Sequence, residues 1–282
     1  MNSINQIFVS VKSLPPFPQV ARRAAEMLSD PNANSRDLVK IIEYDQAITA
    51  NILRLCNSAY FGIKVPVGSL HQAIAFLGHK NLMSIIFASC SVEYYRSYVP
   101  GYDLEKGELW RHSVACAILS QILAQKIGQA DYPLLFTAGL LHDIGKLVLS
   151  VFVRERFEQI MNLVHSQGCS FLDAEHRVLG LDHAELGGKI AEHWNFPPVI
   201  SRAISLHHNP ELIASRDSLA AIIHLADVGC LLLGIGVGAD GLAYRAYQQV
   251  MHEFGFREKD FEIALSKLVG ELAKAEELVH AV

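Results

Sequence analysis

The chain has 282 residues, 51% of them hydrophobic, and carries 24 Lys and Arg against 29 Asp and Glu for a net charge of -5. That length permits one large domain or two ordinary ones with real cores, and the acidic balance disfavours a broad electrostatic grip on nucleic acid or anionic lipid. Five scattered cysteines (Cys56, Cys90, Cys116, Cys169, Cys230), never in a CxxC spacing, suggest neither a disulfide framework nor a thiolate zinc site, and reduced cytoplasmic thiols fit best.

The opening MNSINQIFVSVKS lacks the basic, apolar and small-residue segments of a secretory signal, so a cytoplasmic chain is expected. Pro15, Pro16 and Pro18 in LPPFP abut an apolar helix and read as a rigid helix entry rather than a polyproline ligand. In VARRAAEMLSD, helical spacing puts Val20, Ala24, Met27 and Leu28 on one face. Asn34 or Ser35 can cap a next helix with the stripe Leu38, Ile41 and Ile42, and a third carries Ile48, Ile52 and Leu55. NSAYFGIKVPVGS, residues 57–69, reads as a loop with Tyr60 and Phe61 as core plugs beneath it, and HQAIAFLG and HKNLMSIIFASCSVEYY as two helices after it.

At residues 96–108, RSYVPGYDLEKGE shifts the composition to Pro, Gly and charge, the best candidate for a domain boundary. Tyr94, Tyr95, Tyr98 and Tyr102 near it suggest packing between lobes and little else. Helices are then expected near 109–127, 132–150, 153–167, 171–179, 183–194, 197–207, 217–233, 240–254 and 259–279. Asp131 ahead of Pro133 is a start signal, Ser170 with Asp173 resembles a capping box, and Leu265, Leu268 and Leu272 give the last helix an apolar stripe fit for closing the fold or for self-association. SLAAIIHLADVGCLLLGIGVGA, residues 218–239, has the length of a membrane span. As a span it would bury His224 and Asp227 in the bilayer, at about 2.5 to 3.5 kcal/mol for an aspartate, so a buried helix is expected instead. With no sustained two-residue alternation, the fold class is all-α.

GLLHDIGKL, residues 139–147, sets His142 and Asp143 side by side in core material, where an unpaired carboxylate costs several kcal/mol and calls for a partner. Among thirteen histidines, His112 lies in WRHSVACAIL, His183 begins HAELGG, and His207 and His208 stand together in SLHHNPE; Asp227 lies in IIHLADVG. Each comes from a different predicted helix. Imidazole nitrogen with carboxylate oxygen suits Fe, Mn or Zn, and a divalent cation would compensate Asp143 and Asp227. Two plainer readings stay open: single histidines hydrogen-bonded on their helices, or a metal-free set satisfied by acidic neighbours such as Glu185. His71, His79, His165, His176, His252 and His280 show no partner pattern.

The order of His112, His142 with Asp143, and Asp227 resembles the signature of the HD superfamily of metal-dependent phosphohydrolases. The stretch from LPPFPQVARRAAEMLSDPNANSRDLVKIIEYDQAITANILRLCNSAYFG through SLHQAIAFLGHKNLMSIIFA resembles the HDOD family, the HD-related output domain of bacterial signalling proteins, and the likeness runs from about Leu14 to about residue 230. It implies a two-lobed all-helical module, with an N-terminal lobe over 1–104 packed on an HD-like lobe over 105–282. Such modules are tied to two-component and cyclic-nucleotide signalling, generally without an established enzymatic activity.

By the same resemblance His112, His142, Asp143 and Asp227 map onto the HD metal ligands. His183, His207 and His208 map onto additional histidines of the HD-GYP phosphodiesterases, which let Asp143 bridge a second ion. Lys146 falls where that branch keeps a lysine near the substrate phosphate; the plain alternative is a cation at a helix C-terminus. The departure is HHNPELIASRDS, which lacks the GYP loop that shapes a cyclic dinucleotide pocket and so speaks against hydrolysis of cyclic di-GMP.

The expectation is a regulatory module that binds signalling proteins and holds one or two divalent ions, Fe or Mn ahead of Zn, without a nucleic-acid or membrane partner. The alternative is a phosphohydrolase acting on a nucleotide or other small phosphate, with Asp143 and Lys146 as its catalytic groups.

Overall fold

The computed structural model describes residues 3–14, 17–28, 39, 42–43, 45–92, 94–96, 99–126, 132–209, 218–240 and 247–275. Among them there is no β-strand; a lone bridge joins Val99 to Leu104. The expectations placed on Pro15, Pro16, Asn34, Ser35, Leu38, Ile41, Tyr98, Asp131, His280 and the segment after Asn209 lie outside the described residues.

The first helix, α1 (Ser3–Ser13), was not anticipated, although Ile4, Ile7, Phe8 and Val11 carry the helical spacing and Ile7 and Val11 are buried. Pro18 then leads into α2 (Gln19–Leu28), which buries Val20 and Ala24 as its spacing predicts. Asp45 caps α3 (Gln46–Cys56) by accepting the Ile48 N–H, and Ser69 caps α4 (Leu70–Ser91) by accepting the Gln72 N–H. The two helices expected around residue 78 are present: within α4 they meet end to end at Gly78, whose φ of 74° and ψ of 170° are not helical.

The second half holds α5 (Glu108–Lys126), α6 (Tyr132–Leu141), α7 (Ile144–Glu155), α8 (Phe157–Gln167), α9 (Phe171–Leu179) and α10 (His183–His193). It continues through α11 (Pro198–Leu206), α12 (Ser218–Leu232), α13 (Tyr247–Glu253) and α14 (Glu258–Lys274). The capping box of Ser170 with Asp173 forms as expected, and a second one, Asp182 with Glu185, opens α10. The single helix expected over 132–150 is instead two, broken at His142 and Asp143.

Helix α5 packs against α6, α12 and α14, while α10 packs against α7 and α11. Helix α12 is the segment with a membrane-like composition; its 15 residues fall short of the roughly 20 that a bilayer requires, and Leu219 through Cys230 are buried in the fold. Among the described residues one run, Leu134–Glu155, is long and apolar enough to cross a membrane by composition, yet it contains the His142–Asp143 break and is mostly buried.

Phe17 from the N-terminal segment stacks on Trp194 with ring centroids 4.6 Å apart, and Tyr94 lies 5.0 Å from the same indole. Tyr60 and Phe61 are half-buried against the core, and the Tyr60 hydroxyl donates to Gln121 Oε1 at 3.3 Å. The buried residues of both halves belong to one continuous cluster running from Ile7 to Ala275.

Candidate metal centre

The break between α6 and α7 has a physical consequence: His142 and Asp143 stand at the junction of two helices rather than on one face, so their side chains reach different neighbours. Gly145 brings α7 hard against α10, since a Cβ there would fall 2.0 Å from the His183 carbonyl oxygen. The seven residues singled out in the sequence converge. Ligand atoms of His112, His142 and Asp227 lie within 4.8 Å of one another, as do those of Asp143, His183, His207 and His208.

Asp143 joins the two groups. Its Oδ2 lies 3.4 Å from His142 Nε2 and 3.7 Å from His112 Nε2; its Oδ1 lies 3.5 Å from His183 Nε2 and 3.8 Å from His207 Nε2. Asp227 sits on the far side, with Oδ1 3.0 Å from His112 Nε2 and Oδ2 3.6 Å from His208 Nδ1. His112, His142, Asp143, His183, His207 and Asp227 are each at most 2% exposed.

Outer contacts fix the rings. Nδ1–H of His112 donates to the Ile235 carbonyl at 2.9 Å, that of His142 to Gly139 at 2.7 Å, and that of His207 to Ile204 at 2.6 Å. His183 Nδ1–H donates to Glu175 Oε2 at 2.8 Å. Each partner is an oxygen that can only accept, so in the neutral ring the proton sits on Nδ1 and the Nε2 lone pair points inward. Tyr102 extends this outer layer by donating its hydroxyl to Glu175. Beyond the rings, His224 Nδ1–H holds the His207 carbonyl at 2.7 Å.

In the metal-free site the charge is divided. Burial lowers His142 and His183, but Cys116 and Asp143 outweigh it at His142 and Glu175 outweighs it at His183, so both rings sit above the ordinary histidine value and would give up a proton to bind an ion. Burial, with His142 second, pushes His207 down to about 3, and burial with His207 holds His208 well below the ordinary histidine value. Burial raises Asp143 and Asp227, but Lys146 and His142 outweigh it at Asp143, and His112 and His142 outweigh it at Asp227, leaving both well below the carboxylate range. Even so, Asp143 Oδ1, His207 Nε2 and Asp227 Oδ2 accept no hydrogen bond. Buried acceptors of this kind cost several kcal/mol unless a positive group meets them. His112 Nε2 and His142 Nε2 face each other at 3.2 Å with both Nδ1 protons committed elsewhere, so either a second proton on one ring or a shared cation lies between them.

Four expectations need correction. Lys146 is not at a helix C-terminus: it lies in the first turn of α7, where the helix dipole opposes it, and it is held by Asp143 Oδ2 at 2.8 Å and Asp240 Oδ2 at 2.6 Å. The acidic neighbour of the histidines is Glu175, not Glu185, which caps α10 and meets His176 at 3.2 Å. Tyr102 serves the site as well as the packing between lobes, and His176, expected to stand without partners, belongs to a surface group with Asp182 and Glu185.

This arrangement defines a class, an all-helical protein whose helices gather an HD-type set of histidines and aspartates. More narrowly, the chain belongs to the HDOD domain family, which matches residues 14–210. An HDOD domain protein of unknown function from Geobacter sulfurreducens has a similar structure, with a TM-score of 0.78 and 23% identity over 99% of either chain. A protein from Shewanella amazonensis, named provisionally as a phosphohydrolase, gives a TM-score of 0.73 and 24% identity over 98% of this chain and 97% of its own. Both likenesses carry the fold. Among curated relatives, an uncharacterised protein of Treponema pallidum is 24% identical over 200 residues, 71% of this chain and 38% of its own length. Ribonuclease Y of Bacillus subtilis is 29% identical over 119 residues, 39% of this chain and 18% of its own length.

Proposed function

We propose that the protein is a signal-transduction module whose HD-type site holds one or two divalent ions and which acts mainly by binding other signalling proteins. The observation that carries the metal is Asp143: its two oxygens face separate histidine groups in a fully buried setting, and although Lys146 meets Oδ2, Oδ1 accepts no hydrogen bond. His112, His142 and Asp227 would hold one ion and His183, His207 and His208 a second, with Asp143 between them. Fe and Mn fit this nitrogen and oxygen set, and Zn is the next choice.

The module reading is supported by family membership and by the depth of the site. A second reading, a metal-dependent phosphohydrolase, is favoured by Lys146, whose ammonium stands 2.8 Å from Asp143 and can hold an anionic oxygen next to the ligands. Bound ions of this kind can activate a water and stabilise a leaving oxygen in phosphodiester hydrolysis. Ribonuclease Y among the relatives makes a short RNA a fitting member of the substrate panel.

The test is anaerobic purification followed by measurement of bound metal in the native chain and in Asp143→Ala. The native chain is expected to carry at least one equivalent of Fe or Mn and the variant to lose most of it. A native chain that takes up no metal refutes the reading. Assay against nucleotides, cyclic dinucleotides, short RNA and generic phosphodiesters then separates the two functions: metal-dependent turnover that Asp143→Ala abolishes establishes the hydrolase.

A further inference from the structure

Residues 233–240, directly after α12, cross the metal centre as a strap. The Ile235 carbonyl accepts His112 Nδ1–H at 2.9 Å, the Ala239 N–H donates to the Tyr102 carbonyl at 2.8 Å, and Asp240 Oδ2 meets Lys146 Nζ at 2.6 Å. Gly236, at φ 68°, lies flat on His112; a Cβ there would come within 2.5 Å of the histidine Cβ. Of the strap's larger apolar side chains Ile235 is buried, whereas Leu233 and Val237 are 37% and 45% exposed, so a single large side chain supplies most of the apolar hold on the strap.

Lys146 is the one buried lysine or arginine among the described residues. An ammonium in that position holds oxyanions, and it already holds two carboxylates. Asp143 belongs to a ligand group, while Asp240 belongs to neither and meets the site at Lys146. A carboxylate and a phosphate offer an ammonium the same thing, an anionic oxygen at hydrogen-bonding distance.

The geometry points to residues 233–240 as a displaceable plug, in which the Asp240 carboxylate occupies on Lys146 the place taken by a phosphate oxygen of a small phosphate-bearing ligand when the strap lifts. The inference rests on the reading of the site as a metal centre and adds to it a ligand class and a means of regulation. Ligand and strap compete for one ammonium, so each weakens the other by the same factor.

The probe is inorganic phosphate, titrated by calorimetry into the 282-residue chain, metal-loaded and chelator-treated, as native protein, Asp240→Asn and Ala239→Pro. Asp240→Asn removes the competing charge; Ala239→Pro keeps the charge and removes the N–H that ties the strap to Tyr102. If the strap is open in about one molecule in 10 to 100, either change tightens phosphate binding by about 10- to 100-fold, and adding Lys146→Met cancels the gain. Hydrogen exchange at the Ala239 amide should speed up at least about tenfold in Asp240→Asn without any ligand, and likewise in the native chain on adding phosphate.

Equal phosphate affinity in native and both strap variants, with unchanged exchange at Ala239, overturns the plug. So does a gain that survives Lys146→Met. Should Asp240→Asn fail to fold, Ala239→Pro decides by the same two readouts. Metal content measured on the same samples keeps the two readings apart: protein without metal sinks the metal centre, while the chelator-treated titrations and the exchange rates still judge the strap.

Discussion

Asp143 and Glu175 divide the electrostatic labour of the centre, one facing inward to both histidine groups and the other gripping His183 from behind. Glu175→Gln keeps the shape of that grip and removes its charge, so metal affinity should fall about 10- to 100-fold in competition titrations against a chelator. His207 and His208 give the metal-free protein a pH signature. Burial first, then a neighbouring ring, keeps both unprotonated in the fold, while in the unfolded chain they titrate near about 6.5. The unfolded state therefore binds more protons below that value, and stability declines as pH falls from about 6.5 towards the folded value of about 3 at His207, by up to about 1.4 kcal/mol per pH unit for each ring. Thermal melts of chelator-treated protein should show this slope, and His207→Asn should flatten it. The seven candidate ligands were legible in the sequence because their chemistry and order are unusual. Glu175, Tyr102 and Asp240 were not: an acid, a tyrosine and a loop aspartate are ordinary residues until the chain folds back and sets them beside His183 and Lys146.

Among the elements, the turn between α6 and α7 matters most to the site and was the hardest to foresee. In LLHDIGKLVLS the leucine and isoleucine spacing continues without interruption and no proline announces an end; Asp143 is the N-cap of α7 but makes no side-chain capping bond. Gly145 is the trace of the break, since α7 can reach the His183 carbonyl only without a side chain at that point. Gly145→Ala should therefore lower stability by about 1 to 3 kcal/mol and move His142 away from its partners, which calorimetric unfolding and metal content together would register. Where the pattern was strong it held, as in α5, the Ser170 capping box and the buried α12. The unforeseen α1 had the same kind of pattern, read only for a secretion signal; its Ile7 and Val11 show that it pays its way as a packed helix.

Across the whole molecule the two halves share one core, and the seam between them is aromatic: Phe17, Tyr94, Trp194 and Phe196 meet where the N-terminal segment touches the end of α10. Phe17→Ala, at a side chain only 1% exposed, should cost about 3 to 5 kcal/mol and lower the melting temperature of both halves together rather than of one. A melt that splits into two transitions would show that the halves unfold separately. The chain has two tryptophans, and their placement gives it a built-in optical instrument. Trp110 lies on α5 two residues from His112, and Trp194 lies in the seam, both at most 2% exposed. With Trp194→Phe the remaining emission follows events near His112, and with Trp110→Phe it follows any shift at the seam, so fluorescence of an unlabelled chain can time the one against the other.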